Sequence, residues 1–85
     1  MAQTSLKLFG ADWCTKSSFL KNYLQSEWIE FEYYNVEKDA EAAEEVKALY
    51  DGKLKFPTIK VGDEHLKNPS ISELKPFLKA KGFME

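Results

Sequence analysis

An 85-residue chain has room for one domain built on a single modest core. Its 44% apolar and 14% aromatic content excludes a disordered tail, and 12 basic against 14 acidic side chains give a formal charge of -2 with no basic block for nucleic acid. The apolar runs are a few residues long and Met1-Ala2-Gln3-Thr4 is short and polar, so neither a membrane span nor a signal peptide is expected. The expectation is a cytoplasmic monomer.

Leu6 and Leu8 alternate with Lys7 in a first strand that runs to Phe9, and Gly10-Ala11 turn out of it. Phe19, Leu20, Tyr23 and Leu24 recur at helical spacing, which predicts a helix from Cys14 or Thr15 to Ser26. Trp28 to Val36 is rich in aromatic and β-branched residues and reads as a second strand, with Trp28, Phe31, Tyr33 and Tyr34 as packing residues. Asp39 is a fitting N-cap for a second helix, Ala40 to Tyr50. Val46, Leu49 and Tyr50 form its apolar stripe, Glu41, Glu44 and Glu45 a solvated face, and Asp51-Gly52 its end. Phe56 to Val61 is a third strand that begins at a proline. Gly62-Asp63 marks a hairpin into a short fourth strand, Glu64 to Leu66. Ser70-Ile71-Ser72-Glu73 has the form of a capping box, opening a last helix through Leu74, Phe77 and Leu78 to Lys81, with Gly82 as its stop and Pro76 as a point of kinking.

The order β-α-β-α-β-β-α predicts a single α/β domain over residues 1–85, a four-stranded mixed sheet with helices on both faces. A helical crossover makes the first two strands parallel, and a two-residue turn makes the last two antiparallel.

One cysteine excludes an internal disulfide and a structural zinc cage. It leaves a buried inert thiol, a reactive monothiol or a contact between chains. Cys14 stands between strand and helix with Asp12, Thr15, Lys16 and Ser17 around it, a poor composition for a core segment. There the sulfur would face unpaired N–H groups and the positive end of the helix dipole, both of which favour thiolate, the nucleophilic form. Ser17, one turn on, either donates a hydrogen bond to that thiolate or contacts backbone. Lys16 stabilises the thiolate, binds a substrate carboxylate or is simply an exposed helix lysine. Pro57 is either an ordinary edge residue or a cis peptide, and the cis form would present the Phe56 backbone to an extended substrate. His65, alone on a short strand, reads as a surface residue.

A cysteine after Trp13 at a helix start, followed by Phe56-Pro57-Thr58-Ile59 and a Gly62-Asp63 hairpin, resembles the glutaredoxin branch of the thioredoxin fold over essentially the whole chain. The resemblance implies that Cys14 attacks a disulfide, passes through a mixed disulfide and is released by a second thiol. It also implies a cis Phe56–Pro57 bond, with Phe56 and Pro57 as a docking wall and Trp13, Thr15 and Lys16 at the entrance. Ser17 stands at the second-cysteine position and cannot resolve a disulfide, which implies a monothiol cycle. Glutathione or another small thiol is then the cosubstrate, with no tightly bound cofactor and no metal site. Glutathionylated or disulfide-containing proteins are the implied partners. Ser70, with Ser72, would receive a glutathione carboxylate at a helix N-terminus.

The chain departs from the family pattern at three places. Thr15-Lys16 replaces the Gly-Phe of monothiol glutaredoxins that hold iron–sulfur clusters, Ala11 replaces a common basic residue, and Lys67-Asn68-Pro69-Ser70 replaces a Gly-Gly-x-x-Asp-like stretch. Asn68-Pro69-Ser70, with Trp13, is more similar to actinobacterial mycoredoxins and to glutaredoxin-like proteins reduced by a thioredoxin-type reductase. Two alternatives stay open: a cluster-carrying domain bridged by Cys14 and glutathione, and a Cys-x-x-Cys enzyme in which Ser17 has been introduced for the resolving cysteine.

Overall fold

The computed structural model describes residues 5–83. Its elements are β1 (Leu6–Gly10), α1 (Thr15–Ser26), β2 (Glu32–Asn35), α2 (Ala40–Leu49), β3 (Thr58–Val61), β4 (Glu64–Lys67) and α3 (Ile71–Ala80). The four strands form one sheet in the order β2-β1-β3-β4. β1 is parallel to β2 and antiparallel to β3, and β3 is antiparallel to β4. This is the mixed thioredoxin-like sheet that the element order and the resemblance imply.

Alternation along β1 divides the interior in two. Leu6 and Leu8 face one side, where Leu20 and Leu24 of α1, Leu74 and Leu78 of α3, and Ile29, Ile59 and Val61 close the larger core. Phe9 faces the other side, against Val36 and the α2 residues Ala42, Ala43 and Val46. Helices therefore cover both faces. Each fully buried leucine contributes about 1.5–3 kcal/mol relative to exposure, so the larger core, with six of them, dominates the stability of this small domain.

Local chemistry sets the helix ends. The Ala42 amide donates to Asp39 at 3.1 Å and caps α2. At α3 the capping box forms in full: the Glu73 amide donates to Ser70 Oγ at 3.2 Å, and the Ser70 amide donates back to Glu73 Oε1 at 3.1 Å. Pro76 lies inside α3 on its exposed side, and the helix continues to Ala80. No helix among the described residues is long and apolar enough to cross a membrane.

Four expectations need correction. Trp28 is 93% exposed and does not pack. Its left-handed backbone, φ 59°, belongs to the turn that closes α1, where the Ile29 amide donates to the Leu24 carbonyl, and β2 starts only at Glu32. Phe19 lies on the solvent side of α1, 53% exposed. Glu45 is not part of a solvated face: it is half-buried and bonds Lys60 at 2.8 Å, with Lys7 at 3.7 Å, and Lys60 above all holds its carboxyl below the usual range. His65 is half-buried, packed edge-on against Tyr50 at 5.4 Å between ring centroids.

Candidate active site

The site begins where β1 ends. Ala11, Asp12 and Trp13 leave the sheet, and the Cys14 amide donates back to the Ala11 carbonyl at 3.1 Å. Cys14 then serves as N-cap of α1 with extended backbone, and its own carbonyl takes the first helical bond, from Ser18. Its sulfur is half-buried and stands where a capping oxygen would. Partial burial pushes the thiol pKa up. The Ser17 hydroxyl, the Ser17 and Lys16 amides and the Lys16 ammonium outweigh that push and bring it below the ordinary thiol value. Geometry thus gives the sulfur a share of the helix N-terminus, although no full cap hydrogen bond forms.

Ser17 is 1% exposed and its oxygen accepts from the Ala11 amide at 3.4 Å. That is the backbone contact expected of Ser17, and it leaves the hydroxyl proton free to turn toward the sulfur. Its place depends on Gly10, which the sequence reading treated as a turn residue only. A Cβ on Gly10 would lie 2.5 Å from Ser17 Oγ and 2.7 Å from Ser17 Cβ. Thr15 is exposed at the first helical position, and Lys16 is half-buried beside the thiol.

The opposite wall is the segment before β3. The Phe56–Pro57 bond is cis. Thr58 Oγ1 donates to the Lys55 carbonyl at 3.0 Å and accepts from Tyr50 at 3.1 Å, which closes the Lys55–Thr58 turn. The Asn68 amide donates to the Pro57 carbonyl at 2.7 Å, so the 68–70 segment lies beside the proline. Ser70 is therefore near the wall, but its hydroxyl donates to Glu73 Oε1 at 3.1 Å and its amide to the same oxygen. A carboxylate of the chain already occupies the donors assigned to a substrate.

Trp13 is 68% exposed, and its ring meets Phe56 edge-on at 5.7 Å between centroids, with an interplanar angle of 80°. It thereby links the cysteine loop to the wall. Its indole N–H donates to Glu37. Next to it, Asp12 accepts from Tyr33 at 3.1 Å and from Lys38 at 3.4 Å. The Tyr33 hydroxyl above all, with Lys38 and Asn35 adding to it against the opposing effect of desolvation, holds the Asp12 carboxyl low. Burial, followed by that bond and the Asp12 charge, pushes Tyr33 up to about 12, and the Cys14 charge adds to the effect. Sequence reasoning marks Asp12 only as a polar neighbour of Cys14 and Tyr33 only as a packing residue, and it misses Glu37, Lys38 and the contacts that join them to the cysteine loop. The parallel pairing of β1 with β2 was the available signal, because it sends the two following loops out at the same end of the sheet.

Among the described residues no three His, Cys, Asp or Glu side chains are grouped to hold a metal ion. Cys14 offers one thiolate, so a bridged cluster would need its other ligands from outside the chain.

The glutaredoxin family model matches residues 6–66. The chain belongs to the glutaredoxin family. It is 31% identical over 72 residues to mycoredoxin 1 of Corynebacterium glutamicum, covering 84% of this chain and 89% of that protein. Among solved structures, a glutaredoxin of Archaeoglobus fulgidus superposes with a TM-score of 0.76 at 21% identity, covering 89% of this chain and 87% of that one. A buckwheat glutaredoxin–glutathione complex gives 0.69 at 16% identity, over 96% of this chain and 83% of that one. These two structures support the fold. The family and the mycoredoxin relative support a glutaredoxin-like redox protein, and in this chain the one cysteine caps α1 while the Phe56–Pro57 bond is cis.

Proposed function

We propose that this protein is a monothiol thiol–disulfide oxidoreductase that uses Cys14 as its nucleophile and glutathione, or another small thiol, as its cosubstrate. The observation that carries the reading is the setting of Cys14: the one cysteine of the chain, capping α1, with a pKa lowered by Ser17 and Lys16. A glutathione complex of the buckwheat relative supports glutathione as the thiol.

In the proposed cycle the Cys14 thiolate attacks the glutathione sulfur of a glutathionylated protein. A Cys14–glutathione disulfide forms, and the substrate thiolate leaves and takes a proton from solvent. A second glutathione thiolate then attacks the bound glutathione sulfur, which forms glutathione disulfide and returns the electron pair to Cys14. Lys16 and Ser17 stabilise the charge each time it returns to the sulfur. Ser17 carries no thiol, so nothing in the chain competes with the second glutathione. Trp13, Thr15 and Lys16 form the entrance, and Phe56 and Pro57 the wall against which the substrate backbone lies. Ser70 caps α3 in the free protein, and a substrate carboxylate would take its donors by displacing Glu73.

The test is turnover of a glutathione mixed-disulfide substrate, coupled to glutathione reductase, by this protein and by Ser17→Cys. Comparable rates support the monothiol cycle. An inactive parent with an active Ser17→Cys would mean that a second thiol is required.

A further inference from the structure

We propose that Glu37 is a positioning residue for the reaction, which fixes the Trp13 ring as a wall of the substrate groove. The proposal rests on the reading of Cys14 as nucleophile and deepens it. An indole that is 68% exposed has little packing to choose its rotamer. Two contacts at different parts of the ring do so here. The N–H donates to Glu37 Oε1, and the ring stands edge-on to Phe56 at 5.7 Å and 80°. The first is a solvent-exposed side-chain hydrogen bond, the second a favourable aromatic geometry.

Glu37 is itself fixed. Its backbone amide donates to Asn35 Oδ1 at 2.9 Å, at the end of β2, so the residue is tied to the last paired position of the strand. One residue on, Lys38 reaches Asp12, which Tyr33 also holds. Two consecutive residues before the cysteine, Asp12 and Trp13, are thus both bound to the segment that follows β2. Register explains the meeting: Gly10 pairs with Asn35 in a parallel ladder, so residues 11–13 and 36–38 emerge side by side. The Asp12 contacts anchor the backbone of the cysteine loop, and Glu37 sets the direction of the side chain next to the thiol. Fixing Trp13 against Phe56 before a substrate arrives avoids the ordering that binding would otherwise require.

The experiment compares Glu37→Ala with Glu37→Gln, which keeps an acceptor oxygen and loses the charge. Both are read by steady-state kinetics on a glutathione mixed disulfide, by the pH dependence of Cys14 alkylation, and by time-resolved anisotropy of Trp13 with Trp28 replaced by Phe. Glu37→Ala should raise KM about three- to tenfold, the fold-change equivalent of one ordinary hydrogen bond. It should change kcat less than twofold, leave the alkylation profile in place and increase fast motion of the indole. Glu37→Gln should restore KM and anisotropy to near the parent values. Unchanged Trp13 motion in Glu37→Ala would overturn the proposal, and so would a Glu37→Gln variant as impaired as Glu37→Ala, since charge rather than position would then be at work. If the parent itself fails to turn over, the monothiol reading fails, and the anisotropy still decides whether Glu37 fixes Trp13.

Discussion

Gly10→Ala is the perturbation whose consequence follows most directly from distance. Gly10 has no left-handed backbone to protect, so alanine is compatible with its conformation. The obstacle is space. The new methyl would lie 2.5 Å from Ser17 Oγ and 2.7 Å from Ser17 Cβ, with Tyr33 Cε1 at 3.6 Å. Ser17 is short, buried and held in α1, so rotating its side chain relieves the contact with Oγ but not that with Cβ. Separation requires α1 to move away from β1 at its first turn, one turn ahead of Leu20, which shares the larger core with Leu6 and Leu8. Overpacking of this kind costs about 1–3 kcal/mol. For a domain of this size about 4–8 °C of melting temperature goes with each kcal/mol, so thermal unfolding should shift by roughly 4–24 °C. The displacement also takes the Ser17 hydroxyl from the sulfur, so the pH profile of Cys14 alkylation should move upward. Adding Ser17→Gly removes the clashing Cβ and should recover most of the stability but not the alkylation profile. A Gly10→Ala protein that melts within about a degree of the parent, with an unchanged alkylation profile, would refute the reasoning.

Ser17→Ala removes one of the groups that lower the Cys14 pKa, so half-maximal alkylation should move toward the ordinary thiol value of 9.0. A lowered folded-state pKa contributes stability above the unfolded thiol pKa and loses it as pH falls through the folded value, so Ser17→Ala should cost more stability at alkaline pH than at pH 5, as denaturant titrations can measure. Tyr33 has the opposite sign: raised from 10.0 to about 12, it contributes stability below pH 10 that disappears as pH rises through 12. Tyr33→Phe should flatten the alkaline loss in that window and bring the Asp12 carboxyl, followed by NMR, up toward its usual range. Ser70→Ala breaks the capping box and should cost about 0.5–2 kcal/mol in chemical denaturation.

Much of the fold was legible because several levels of chemistry agreed. Alternation at Leu6 and Leu8, caps at Asp39 and Ser70, and one helical crossover were enough for the parallel direction of the first two strands and for helices on both faces. Trp28 misled because aromatic content favours a strand, whereas the closing turn of α1 took the residue into a left-handed conformation. Glu45 misled because its partners, Lys7 and Lys60, are brought together only when β1 and β3 pair.

At the site, the place of Cys14 at the start of α1 was legible from the sequence pattern, and the cis Phe56–Pro57 bond from the family resemblance. Gly10 was not, because its constraint is a close approach of a strand to a helix rather than a turn. The Trp13–Glu37 bond joins residues 24 positions apart, and no local pattern announces it. Ser70 shows the reverse case: the same residues that signalled a helix N-terminus also supplied Glu73 to fill it.

The proposed function requires Cys14 to be a nucleophile activated by the fold. The most direct measurement is the rate at which glutathione disulfide modifies the protein at neutral pH, followed by intact mass, for the folded chain and for the chain in denaturant. The account predicts one glutathione per chain on Cys14, gained much faster in the folded state and removed by added thiol. A folded protein that reacts no faster than the unfolded chain would contradict it.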